Sequence, residues 1–415
     1  MIEIRRVKTI DGGVIDCKIR GASSQIIDGK GLVLLPALID PHVHFRTPGG
    51  ETKETWETAS RAAIFGGVTT VFDMPNNTPP CITLERLKAK KKLIDKQLKI
   101  PLRYGLYLGA DQNHLEEIAK AKDLIVGVKI YMGSSTGDLL MNQPQALDAV
   151  FRIAKENDLL VAVHAEDEDL IQKRTAKYKE AASQQTPHGK CKAALHLDPS
   201  THSLIRNGEV AARAVAQAID LAAKYGTRLY IAHVSTKEEF ALIREAKKKG
   251  MEVFAEVTPH HLFLTTKLYE TLGTMALVNP PLRDSNEAVW EAIADGTVDT
   301  IGTDHAPHLL KEKQLPFGEA PSGFPSIELY LSLLLNAHAQ GRISLAKIVS
   351  LTSTRTREIF RLGKTEDVVL VDLAKVKTVD HAQLKTKAKW SPYVGMTLKG
   401  WPRYTILKGQ VYDVA

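Results

Sequence analysis

Apolar, β-rich runs alternate with helix-like stretches through the middle of the chain. The runs fall at Leu32–Asp40, Gly67–Met74, Arg103–Gly109, Ile125–Met132, Leu159–His164, Arg228–His233, Glu252–Thr258 and Thr300–Asp304. Helix-like segments separate most of them, among them Leu84–Gln97, Gln145–Glu156, Glu209–Tyr225 and Lys237–Lys249. Short, near-continuous apolar strands alternating with helices predict an α/β fold with a parallel sheet. Eight of them predict a (β/α)8 barrel of the TIM type, with chemistry at the C-terminal strand ends. A doubly wound open sheet is the alternative, weakened because no Gly-rich phosphate loop follows any strand.

The two ends of the chain read differently. Residues 1 to about 30 are short β-rich pieces broken by Asp11-Gly12-Gly13 and Asp28-Gly29-Lys30-Gly31, too small to hold a core alone. Asp367–Asp372 and Tyr404–Tyr412 have the same character. The expectation is one small composite β-domain, residues 1–34 plus 364–415, beside a barrel of residues 35–363. A long polar connection from Arg174 to Asn207, with Pro187, His188, Gly189 and Cys191, interrupts the barrel pattern.

At 415 residues, 44% hydrophobic and 25% charged, the chain has an ordinary globular composition with ample core. The formal charge of +7 changes little. Much of the excess sits in Arg86–Lys92 and Arg244–Lys249, which lack aromatic residues for base stacking. These read as solvated helix faces rather than a nucleic-acid groove. Cys17, Cys81 and Cys191 are widely spaced and form no CxxC pair, which suits a reducing compartment. The start has no apolar signal region, and no uncharged run reaches roughly 18 residues. A soluble, cytoplasmic protein that avoids membranes is expected.

The polar residues collect at the predicted strand ends. The first strand closes in Asp40-Pro41-His42-Val43-His44-Phe45-Arg46. Alternation puts His42 and His44 on one face, half of a site for a borderline metal. Alone, such a pair is better explained by surface or core histidines. Other strand ends offer Lys129, His164, His233 and Asp304, and a barrel converges them on one point, so a metal site is expected. Lys129, inside an apolar run, is costly as an unpaired ammonium. It is either deprotonated, salt-bridged to Glu166 or Asp304, or converted by carbon dioxide to a carbamate able to bridge two metals.

These stretches resemble the dihydroorotase family of the cyclic amidohydrolases. Matching segments run in family order from about residue 35 to 330. They include Asp40–Arg46, Pro48–Glu51, Gly66–Thr70, Met74-Pro75-Asn76, Gly127–Tyr131, His164-Ala165-Glu166 and His233–Thr236. Glu256–Leu262, Asn279–Arg283, Thr303–His308 and Gly323-Phe324-Pro325 complete the series. The resemblance implies two zinc ions, one on His42, His44 and Asp304, the other on His164 and His233, bridged by carbamylated Lys129. It implies that Arg46, Asn76, Asn279 and His308 bind the substrate, and that the reaction interconverts N-carbamoyl-L-aspartate and L-dihydroorotate in pyrimidine synthesis. Some relatives place a Cys before the sixth-strand His; here that residue is Ala232, so no third metal is expected.

The chemistry agrees. Opening a cyclic amide needs hydroxide at neutral pH and a polarised carbonyl, which paired zinc ions supply. Asp304 can shuttle the proton as general acid and base, and Arg46 suits a carboxylate-bearing substrate. Ser135 and Thr136, after the fourth strand, are candidate contacts from a closing loop; a plain polar turn explains them equally well. Glu256, His260 and His261 read as supports rather than ligands. Competing readings are an allantoinase or hydantoinase-like amidase, and a non-catalytic scaffold for aspartate transcarbamoylase. A homodimer and an aspartate transcarbamoylase complex are candidate assemblies.

Overall fold

The computed structural model describes residues 1–21, 24–135, 139–184 and 197–415. Thr136, Pro187, His188, Gly189 and Cys191 lie outside the described residues. Four short strands open the chain: β1 (Ile2–Lys8), β2 (Val14–Ile19), β3 (Gln25–Asp28) and β4 (Val33–Pro36). Eight barrel strands follow: β5 (Leu38–Val43), β6 (Val68–Asp73), β7 (Arg103–Gly109), β8 (Gly127–Tyr131), β9 (Leu160–His164), β10 (Arg228–Ile231), β11 (Val253–Val257) and β12 (Thr300–Ile301). Then come β13 (Val368–Thr378), β14 (Thr397–Leu407) and β15 (Gln410–Asp413).

The barrel strands pair in sequence order, each parallel to the next. The circle closes beyond β12, where His305 bridges Val43 in parallel and accepts the His44 N–H on its carbonyl at 2.8 Å. The barrel is therefore tied shut at its C-terminal mouth, beside the two histidines. The remaining strands form one seven-stranded sheet, in which β4 pairs antiparallel with β13 and joins the two ends of the chain.

The predicted run Leu32–Asp40 proves to be two strands in different sheets. Up to Pro36 the chain pairs with β13. Ala37 donates to the Asp367 carbonyl, and Leu38 then donates to Gly67 and starts the barrel. An unbroken apolar run carries no mark of this change of partner, because both strands are buried.

Inside the barrel the lower, inward positions are apolar. Ile39, Phe72, Tyr107, Leu160, Ala162, Tyr230 and Phe254 pack with Ile359 below. One step higher on the same faces, β9 carries His164, β11 carries Glu256, and β8 carries Lys129 opposite Ala162. Period-2 alternation thus stacks polar groups on an apolar floor.

The helices hold this cylinder through apolar stripes. In α1 (Trp56–Phe65) Thr55 and Thr58 form a reciprocal capping pair. In α2 (Leu84–Gln97) the buried positions are Leu87, Lys90 and Ile94. The Lys-rich segment is therefore not wholly a solvated face: the i, i+3, i+7 stripe runs through Lys90, which is 1% exposed. Among the described residues no helix is long and apolar enough to cross a membrane.

Candidate metal centre

His42 and His44 leave the top of β5 with their rings 5.3 Å apart. Each ring is fixed from behind. His42 Nδ1 donates to Glu256 Oε1 at 2.7 Å, and His44 Nδ1 donates to Asn76 Oδ1 at 2.6 Å. Both Nε2 atoms therefore face Asp304 Oδ1, at 3.3 Å and 2.9 Å. Burial pulls His44 down to about 4, against the Asp304 charge, so its imidazole is neutral. A neutral ring with its proton on Nδ1 turns a lone pair toward the carboxylate. Two acceptors in contact with no proton between them are the donor set of a cation, and the three ligand atoms lie within 4.8 Å of one another.

The second pair stands across the mouth. His164 Nδ1 is 3.0 Å from His233 Nε2, and the rings are nearly perpendicular. Burial lowers both imidazoles, most strongly His233. His233 and His42 are 5.4 Å apart ring to ring. Lys129 lies below, 1% exposed, and its Nζ has no hydrogen-bond partner among the described residues. The ion pair with Glu166 or Asp304 that would have quieted it does not form. Glu166 is engaged by Arg206 and lies 3.0 Å from His164 Nε2. Burial draws the Lys129 ammonium down to about 8, with Glu256 and Asp304 opposing. All donors are nitrogen or oxygen, a set that suits zinc.

Burial pushes the Asp304 carboxyl up, but His42 and His44 outweigh it and hold it well below the usual range. Three residues of the site have left-handed backbones: Arg46 at φ +62°, His233 at +42° and Asp304 at +46°. Such conformations persist only where surroundings enforce them, and they gather at functional sites. Gly302 shows the crowding, since a Cβ there would meet Glu256 Oε2 at 2.4 Å.

A small pocket of about 20 Å³ opens above, its lining including His44, Arg46, Asn76, Ser135, Asn279 and Asp304. Arg46 is held from behind, Nε donating to the Pro307 carbonyl and Nη2 to His308 Nε2, each at 3.0 Å. His308 is fully buried behind Arg46 rather than in the lining. Asn279 Oδ1 lies 2.8 Å from His202 Nε2. Glu256 also accepts the His233 N–H and the Tyr230 hydroxyl, and His261 is bonded to Thr258. Two partners escape sequence reasoning. Arg206, which braces Glu166 and the Ser134 carbonyl, lies in a polar connection with no motif. Lys90 was hidden among neighbouring lysines, although its place in the stripe from Leu87 to Ile94 marks it.

Donors converging on the mouth of a closed parallel barrel define the class: a barrel hydrolase that carries metal above its strand ends. The comparisons with known proteins give the branch. The amidohydrolase family model matches residues 33–412. Dihydroorotase from Methanosarcina mazei is 36% identical, covering 94% of this chain and 86% of that protein. Dihydroorotase from Caldanaerobacter subterraneus is 35% identical, covering 96% and 90%. Among solved structures, L-hydantoinase (dihydropyrimidinase) from Arthrobacter aurescens superposes with a TM-score of 0.90 at 27% identity, covering 99% and 96%. The chain belongs to the amidohydrolase family, with the dihydroorotases among its relatives.

Proposed function

We propose that the protein is a dihydroorotase, closing N-carbamoyl-L-aspartate to L-dihydroorotate and reopening it, as a cytoplasmic step of pyrimidine synthesis. The observation that carries this reading is Arg46 lining the same cavity as the Asp304 metal cluster. It pairs a carboxylate-binding group with a hydrolytic centre. His42, His44 and Asp304 would hold one zinc ion, and His164 and His233 a second, with Lys129 as a bridging carbamate. Bound there, the ions would make hydroxide available near neutral pH and polarise the amide carbonyl.

The remaining work falls to the chain. Asp304, deprotonated and within 2.9 Å of His44 Nε2, takes the proton of the attacking water and returns it to the ring nitrogen that leaves. Arg46 anchors the substrate carboxylate, Asn76 and Asn279 fix the ring, and His308 acts by holding Arg46. Ser135 contacts the substrate from the segment after β8. A homodimer, or a complex with aspartate transcarbamoylase, is the assembly proposed for the protein.

Assay of the purified, zinc-loaded protein on L-dihydroorotate, allantoin and hydantoin tests the proposal. Turnover of dihydroorotate alone is expected. Turnover of allantoin or hydantoin without dihydroorotate would establish the competing amidase. A metal-free, inactive chain that binds aspartate transcarbamoylase would establish the scaffold.

A further inference from the structure

Lys90 sits in the middle of α2 and is not part of the pocket lining. Its side chain runs inward rather than to solvent. Nζ pairs with Asp73 Oδ2 at 2.6 Å and donates to the Met74 carbonyl at 2.9 Å and Asn77 Oδ1 at 2.8 Å. Two of the ammonium protons go to the Met74 and Asn77 oxygens, and the Asp73 carboxylate meets the charge as an ion pair. The acceptors themselves reach the substrate-binding turn. Asp73 Oδ1 accepts the Phe45 N–H at 2.7 Å, and Asn77 Nδ2 donates to the Thr47 carbonyl at 3.0 Å.

Phe45 and Thr47 flank Arg46, whose backbone is left-handed. The Asp73 carboxylate grips the chain before Arg46 and the Asn77 amide grips it after, and Lys90 joins the two grips. Its third bond, to the Met74 carbonyl, fixes the strand end that leads to Asn76, the partner of His44. Asp73 is fully buried and Lys90 nearly so. Burying a charge pair is costly and seldom stabilises a fold on balance, so its use here is geometric.

We propose that Lys90 is a positioning residue for substrate recognition: through Asp73 and Asn77 it holds Arg46 in its carboxylate-binding pose, and through Met74 it steadies Asn76. The proposal rests on the reading of Arg46 as the carboxylate anchor. It gives the Lys-rich helix a function at the site, carried by one lysine of the run.

The test is steady-state kinetics of Lys90→Met on N-carbamoyl-L-aspartate with the zinc-loaded enzyme. A tenfold or larger rise in KM is expected, with kcat within about threefold and zinc content unchanged. A lysine that only supported the fold would lower the active fraction, and so the apparent kcat, without moving KM. Where Lys90→Met fails to fold, the variant combining Lys90→Met with Asp73→Asn removes both charges and keeps an acceptor for Phe45. The same KM rise is expected of it. Arg46→Ala separates the two claims. In that background Lys90→Met should add only the smaller part of its rise that runs through Asn76, and a fully additive rise would overturn the proposal. If Arg46→Ala raises KM and the Lys90 variants do not, positioning by Lys90 is refuted while the anchor role stands. If Arg46→Ala leaves KM unchanged, the anchor reading itself fails.

Discussion

The two histidine pairs at the barrel mouth are built differently. His42 and His44 have their far nitrogens fixed by Glu256 and Asn76, and they face a carboxylate, Asp304, that the chain supplies. His164 and His233 face each other, with the Glu166 carboxylate 3.0 Å from His164 Nε2 and, below them, the amine of Lys129, which has no hydrogen-bond partner among the described residues. The first corner carries its own anion. The second has its carboxylate, Glu166, already engaged by Arg206, and Lys129 brings no negative charge of its own. On the proposed reading, the difference is that folding alone completes the first corner, whereas the second would gain its bridging anion only by chemistry after folding.

The largest effect should come from the ready-made corner. Asp304→Asn removes an anion and the proton carrier together, and kcat should fall by about 10⁴-fold. Activity within tenfold of the parent would place the proton transfer elsewhere. Lys129→Ala should cost about a thousandfold through loss of the bridge. Acetate or propionate should restore part of that activity, because a small carboxylate can stand where the carbamate stood. A fully active Lys129→Ala enzyme would erase the contrast between the corners.

Glu256→Gln should weaken metal binding by about 10- to 100-fold, the usual cost of losing a partner behind a ligating histidine. Since Glu256 also accepts the His233 N–H, both metals should loosen, as read by zinc titration against a chelator. Asn76→Ala removes the bond to His44, so the same titration should show one metal loosened by about tenfold. Equal loss of both in the Asn76 variant would mean that the corners are not separable.

The smallest effect concerns pH. Burial lowers the Lys129 ammonium from 10.5 to about 8, so at pH 7 roughly a tenth is free amine, against about one in three thousand for an ordinary lysine. Only the free amine attacks carbon dioxide. Reactivation of stripped protein by zinc, at fixed dissolved carbon dioxide, should therefore quicken as pH rises and level off above about 8. A rate flat from pH 6 to 9 would argue against carbamate formation.

Much of the frame was readable in the chain itself. The helix at Leu84–Gln97 and the strand at Arg103–Gly109 have the bounds that their patterns suggest, because local periodicity and turns set them. The Asp40–Arg46 stretch is legible for a similar reason, since alternation alone aims His42 and His44 together. What was not legible depends on partners distant in sequence. The change of sheet at Ala37 is decided by Asp367 and Gly67, the burial of Lys90 by Asp73, and the place of His308 by Arg46. The left-handed turns at His233 and Asp304 also escape pattern reading, because neither residue type demands them.

The pairing of β4 with β13 has a consequence for how the chain is made. Leu34 meets Leu370, and Leu35 meets Val369, so the strand that leads into the barrel is anchored to one synthesised long after it. Until β13 arrives, β4 offers a bare apolar edge of the kind that recruits other strands. Contacts this remote slow folding, because loop closure must come before the contacts repay it. Nascent chains of this protein should therefore depend on chaperone cover through most of synthesis, and chains cut short before β13 should aggregate rather than yield a working barrel.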